Sequence, residues 1–368
     1  MRLARKIIKL KRLLALLPLI LNFKSYTSKA DERNPSPEAL KKIYEIQKKY
    51  KFDISNPFCI GDKEDPFEMG ATMADGPYKG QCIDAEVNRP PFILDGTTSD
   101  YIEVANIRHA DQWWIGRIEF GGVEKVYYEM VEFDNIVPGV RNGHVELRFV
   151  MKKDRPIKLR SQVVTIDKTE ELDDLVVSYN AYGVHGVPFD AVQGIEKKFG
   201  LLGRLVSTYD RANHQIVFSK GVTSQIELQL DEHQKSLLLL RAIHRSDFLI
   251  NYRTIYHTLF NNCATSSFDL IDDTIPRRAG VPDFIDEYSK WLGPIKDIFK
   301  NDWFAILPHI KDLIFQPSID ALGARGLIKG WGPTLNEEYN NGEVSLRKVQ
   351  KHRGTIRNPD HPLVPTYN

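Results

Sequence analysis

The chain has 368 residues, 42% hydrophobic and 27% charged, with 24 Gly, 20 Pro and 3 Cys, and a formal charge of +1 that falls to −7 for residues 31–368 once the eight basic residues of positions 1–30 are set aside. These values exclude a collagen-like, coiled-coil or wholly disordered chain and a disulfide-dense scaffold. A mildly acidic body does not attract a phosphate backbone, so no nucleic-acid partner is expected, and no apolar run reaches the length of a conventional membrane span.

The first thirty residues have the anatomy of a secretory signal. A basic stretch, Arg2–Arg12, precedes the apolar run LLALLPLIL (13–21), and Ser28 and Ala30 supply small residues before a cut at Asp31. An uncleaved amphipathic anchor is the alternative. Export to the periplasm or cell envelope places the cysteines in an oxidising compartment, where they tend to pair. Cys59 and Cys82 lie in a loop-rich extension, residues 31–100, and are expected to form a disulfide, which leaves Cys263 as a lone thiol. Within that extension Ser36-Pro37-Glu38 is a helix start, with Leu40, Ile43, Tyr44 and Ile46 following at helical spacing.

Residues 101–190 turn strongly β. IGRIEF (115–120), VEKVYYEMVEF (123–133), HVELRFV (144–150), IKLRSQVVTI (157–166) and LVVSYNAY (175–182) alternate and are rich in β-branched and aromatic residues. Their spacing predicts an antiparallel meander. QIVFSKG (215–221) and QIELQL (225–230) read as short strands, and Asp231 caps a helix through Leu237, Leu238, Leu240 and Ile243. Helical patterns recur in 281–330, around Tyr288–Ile298 and Trp303–Ile314, and residues 331–368 read as a polar tail. The fold class is therefore α+β, an antiparallel sheet with packed helices.

The residues best suited to chemistry surround Cys263. In Asn261-Asn262-Cys263-Ala264-Thr265 the second Asn is a good N-cap, which puts the thiol in the first turn of a helix. There the helix dipole and free backbone N–H groups favour the nucleophilic thiolate, and the same N–H groups suit an oxyanion. A capped helix with an incidental Cys is the other reading. A thiol nucleophile needs a base, usually His. In Gly143-His144-Val145-Glu146-Leu147-Arg148-Phe149 alternation puts His144, Glu146 and Arg148 on one strand face. His144 at the start of that strand is the best-placed base, against the alternative of an ordinary charged surface strand. His109, His185 and His257 are further candidates, and Trp113-Trp114 beside Asp111 is a second aromatic feature. No HExxH, CxxC pair, GxSxG or nucleotide-binding glycine motif occurs, so neither a metal nor a cofactor is expected.

Three segments, GHVELRF (143–149), Ser178-Tyr179-Asn180-Ala181 with its Gly-rich sequel, and YRTIYHTLFNNCAT (252–265), resemble the Lnb N-terminal periplasmic domain family over roughly residues 100–280. The resemblance implies a circularly permuted papain-like (NlpC-like) core with a cysteine-enzyme domain at 101–280. It implies Cys263 as nucleophile and His144 as base, with Asn262 at the start of the helix. Where the family pattern carries an acid this chain has Asn180, so Asn180, Glu146 and Gln162 all stand as the third member. The implied function is a thioester-forming acyltransferase or hydrolase acting on a lipid, a lipoprotein or a cell-wall peptide, with peripheral membrane contact. A peptidoglycan amidase or endopeptidase and a non-catalytic envelope protein of the same fold are the alternatives.

Overall fold

A computed structural model of the chain describes residues 97–134, 141–184, 191–219, 221–252, 254–277 and 310–341, with scattered positions between 37 and 95, at 187 and 189, and between 280 and 290. The leader, Cys59, Cys82, His185, most of the helix expected after Ser36, the stretch 291–309 and everything beyond 341 lie outside the described residues.

Among the described residues the strands are β1 (Phe92–Ile93), β2 (Tyr101–His109), β3 (Gln112–Glu119), β4 (Val123–Asp134), β5 (Arg141–Met151), β6 (Ile157–Ser161), β7 (Thr169–Leu172), β8 (Asp174–Tyr182), β9 (Gly200–Val206), β10 (Val222–Leu228) and β11 (Ile328–Trp331). They join in one sheet, in the order β11-β10-β4-β5-β8-β9-β2-β3-β6-β7, with β1 beside β2. All the pairings are antiparallel except that of β2 with β9. The fold is thus mixed α and β around a large, mostly antiparallel sheet. The helices are α1 (Ala191–Ile195), α2 (Thr208–Ala212) continued by a π-helical turn (Asn213–Phe218), α3 (Glu232–Tyr252), α4 (Cys263–Thr274), α5 (Ile310–Ala324) and α6 (Leu335–Asn340).

The two faces of the sheet have opposite character, and the period-two alternation of the strands is the cause. One face carries the row Tyr128, Leu147, Val177 and Leu205, matched across β4, β5, β8 and β9. These side chains are fully buried and share one core with Leu238, Ala242 and Ile243 of α3, Phe268 and Ile271 of α4, and Ala321 and Leu322 of α5. Phe268 also stacks on Phe284, with ring centroids 4.1 Å apart. α3 comes close to β9 because position 203 is glycine; a Cβ there would lie 2.4 Å from the Ser246 Cβ. The opposite face carries Gln225, Glu129, Glu146 and Ser178, matched across β10, β4, β5 and β8. They too are buried, under Arg211 of α2, Gln215 of the π-turn and Glu338 of α6.

Several elements differ from expectation. The strand expected over 157–166 ends at Ser161 as β6; residues 162–168, with Ile166 exposed, turn the chain back into β7. The single meander is two: β6 pairs with β3, and β8 returns to β5. QIVFSKG is not a strand; residues 213–218 continue α2 as a π-helix, started by the Ser207 cap whose hydroxyl accepts from the Asp210 N–H. Residues 335–340, read from the sequence as part of a polar tail, form α6, held by a capping box in which Thr334 and Glu337 exchange side-chain bonds with each other's backbone N–H.

Candidate active site

Asn262 builds the start of α4. Its Oδ1 accepts from the Ala264 and Thr265 N–H groups at 2.9 and 3.1 Å, and its own N–H donates to Thr265 Oγ1 at 2.9 Å. Its Nδ2 donates to the Thr258 carbonyl at 2.7 Å, tying the helix start to the preceding turn. Two of the N–H groups that the sequence offered to an oxyanion are therefore spent on the cap. The N–H of Cys263 itself lies in the same first turn, where no intrahelical acceptor exists. Replacing Asn262 by Ala removes the cap, and urea denaturation should register a loss of about 1 kcal/mol or more, because the Thr258 tie is lost with it.

Cys263 is buried, 3% exposed, at the point where two strands part. The β5–β8 ladder runs from Val150–Asp174 to Glu146–Ser178 and stops there. β5 continues along β4 to Arg141, and β8 continues along β9 to Tyr182. The next residues on the same face of the two diverging strands are His144 and Asn180. The sulfur meets the His144 ring in this gap, each group acting on the other by charge and by side-chain hydrogen bonding, and the Val145 N–H points at the sulfur as well.

The far side of the imidazole is supported in turn. His144 Nε2 lies 2.7 Å from Ser178 Oγ and 3.6 Å from Glu146 Oε2. Glu146 is fully buried and fully partnered. Arg211 Nε lies 2.8 Å from both of its oxygens, Arg211 Nη2 is 2.7 Å from Oε2, and Gln215 Nε2 donates to Oε1 at 2.7 Å. Gln215 is held by Thr223, whose hydroxyl donates to its Oε1 at 2.6 Å.

This arrangement sets the charges. Burial opposes ionisation of the Cys263 thiol, but the positive imidazole beside it and the Val145 N–H, helped by the Ala264 N–H that the sulfur shares with the Asn262 cap, outweigh burial and hold the thiol below its usual range. Burial likewise opposes the imidazolium, yet the thiolate of Cys263 and the carboxylate of Glu146 raise His144 to about 9. Burial would raise Glu146, and the Arg211 guanidinium and His144 instead pull it well below the carboxylate range. The favoured state is thiolate and imidazolium, backed by an ionised carboxylate.

The residues named from sequence fall as follows. Cys263, His144 and Asn262 come together. Glu146 lies against the His144 ring. Asn180 does not bond the imidazole; its Nδ2 donates to Ser178 Oγ at 2.9 Å, one step behind it. Gln162 belongs to another buried cluster, where its Nε2 donates to Asp65 and Asn106. His109 is bound to Ser207 Oγ at 3.0 Å, in a separate cluster with Trp114 and Tyr209. His257 sits in the turn before α4, its Nδ1 accepting from the Leu259 N–H and its ring against Phe260. The guanidinium groups of Arg89 and Arg108 both lie over the Trp113 ring. Arg211 and Gln215 were missed, although they stand four residues apart, because Gln215 was read as the start of a strand, which hid the helix that carries them both. Among the described residues no group of three or more His, Cys, Asp or Glu is arranged to hold a metal ion.

A narrow cavity of about 60 Å³ opens on the pair. Tyr179, Ala181, Phe189, Tyr256 and Ile314 give it an apolar wall, and Asn180, Arg211, Gln215 and Ser219 a polar one. Because Asn180 and its neighbours Tyr179 and Ala181 all line it, the cavity reaches both faces of β8.

Residues 112–291 match the model of the Lnb N-terminal periplasmic domain family. The match bears out, over that stretch, the family resemblance read from the sequence. No curated protein and no solved structure matches it. The matched stretch contains Cys263, His144, Glu146, Ser178, Asn180, Arg211 and Gln215, whereas Ile314 of the cavity and Glu338 of the buried network lie beyond it. The family is described as periplasmic, which supports an envelope location for the matched stretch.

Proposed function

We propose that this protein is an exported cysteine-dependent acyltransferase or hydrolase that works through a thioester on Cys263. The observation that carries the reading is the buried thiol facing an imidazole that is itself backed by the Glu146–Arg211 pair, all beside a cavity. His144 preceding Cys263 is the order a permuted papain-like core requires. In the first step the Cys263 thiolate attacks an ester or amide carbonyl, and the N–H of Cys263 receives the oxyanion. The carbon–oxygen or carbon–nitrogen bond then breaks, and the departing group takes its proton from the His144 imidazolium. In the second step neutral His144 accepts a proton from an amine or water as that nucleophile attacks the thioester carbonyl. The thiolate leaves and the ion pair is restored. Ser178 Oγ accepts from the Nε2–H of the imidazolium and so holds the ring beside the sulfur.

The aromatic and aliphatic wall of the cavity favours an acyl chain over a cell-wall peptide. The test is to incubate the protein with long-chain acyl esters and map its peptides by mass. An acyl adduct on the Cys263 peptide that hydroxylamine removes supports the reading. Adducts with peptidoglycan fragments alone would move it to the amidase class. A thiol no more reactive than free cysteine would leave a non-catalytic protein. The ion pair also predicts a pH profile. Alkylation of Cys263 by iodoacetate should already be fast below the usual thiol range, because the folded thiol is depressed. It should then fall as pH rises through about 9, where His144 loses the charge that attracts the anionic reagent.

A further inference from the structure

Glu129 is fully buried on β4, directly across the ladder from Glu146, and neither of its oxygens has a hydrogen-bond partner. Residues opposed in this way have Cβ atoms about 4.5–5.5 Å apart. The charges facing it can be counted element by element. β5 contributes Glu146 and Arg148, α2 contributes Arg211, and α6 contributes Glu338. Gln225 of β10, its other cross-strand neighbour, is neutral. The cations are already matched: Arg211 by Glu146, and Arg148 by Asp174 at 2.8 Å and Glu338 at 2.5 Å. The His144 imidazolium is already opposed by the Cys263 thiolate, so Arg148 and Arg211 are left to face three carboxylates, Glu146, Asp174 and Glu338. An ionised Glu129 would be a fourth, unmatched negative charge in a site that water does not reach.

We propose that Glu129 and Glu146 form a buried carboxyl pair carrying a single charge, in which Glu129 keeps its proton and the charge stays on the Glu146 carboxylate facing His144. Burial and the neighbouring Glu146 charge both push Glu129 well above the carboxylate range, in line with that count. The inference builds on the site's geometry and not on its turnover, so the failure of either reading is seen separately.

The sign of the linkage gives the experiment. An acid whose folded pKa is raised contributes stability that is present below its unfolded pKa and is lost as pH rises toward the folded one. Glu129→Gln has the same shape and no proton to lose. Its melting temperature relative to the parent should therefore climb between pH 5 and 8, by about 5 °C or more. A gap that stays flat across that range means Glu129 is ionised, and the proposal fails. The second measurement is the iodoacetate profile of Cys263. It should be unchanged in Glu129→Gln and its alkaline fall should move to lower pH in Glu146→Gln. An equal shift in both variants would mean that both carboxylates carry charge, and would overturn the proposal even if one variant were too unstable to melt cleanly.

Discussion

Replacing Cys263 by Ala should leave a folded protein that forms no acyl adduct and turns over ester substrates at least about 10⁴-fold more slowly than the parent. The small volume change at a 3% exposed position costs little packing, and the Asn262 cap does not use the sulfur. Circular dichroism and melting separate the two effects: lost turnover with retained melting is the expected pair. Serine is the sharper control, because it keeps the shape and a hydroxyl while losing the ease of ionisation. A Cys263→Ser variant with full turnover would remove the thiolate from the mechanism.

The largest effect on stability is expected from Arg211→Met. Arg211 makes three contacts of 2.7–2.8 Å to a carboxylate with no exposed surface. Removing one partner of a buried pair leaves the other uncompensated, typically at about 3–5 kcal/mol. For a domain of this size that corresponds to a fall in melting temperature of roughly 10 °C. The loss should also reach the chemistry. Glu146 without Arg211 is easier to protonate, and a neutral Glu146 gives less support to the imidazolium. The alkaline fall of the iodoacetate profile should therefore move to lower pH in whatever fraction remains folded. A variant as stable as the parent would mean that water reaches Glu146.

The local pattern around Cys263 was legible because an N-cap, a capping-box threonine and a thiol lie within four consecutive positions and need no tertiary information. His144 and Glu146 were legible as residues on one face of a strand, but not their order of contact with the imidazole. That order depends on where β5 and β8 separate, and nothing in either strand's composition marks the separation. Asn180 drew attention as a departure from the family pattern, yet it reaches the imidazole only through Ser178. Arg211 and Gln215 stayed hidden because Ile216, Val217 and Phe218 have strand propensity, which the Ser207 cap and the packing of the π-turn on the sheet override. β9 was obscured by its two glycines, Gly200 and Gly203, which weaken a strand pattern while one of them lets α3 approach. Glu338 was passed over because a helix of six residues has too few turns to show periodicity.

Paired strands are a wall: at about 4.8 Å apart no substrate passes between them. The parting of β5 and β8 is a doorway in that wall, and Cys263 stands in it. An acyl chain arriving past Tyr179 and Tyr256 and a nucleophile arriving past Arg211 and Ser219 would come to the same carbonyl from opposite rooms. The first product could then leave by its own side, so that transfer or hydrolysis depends on which molecule is waiting across the threshold when the thioester forms.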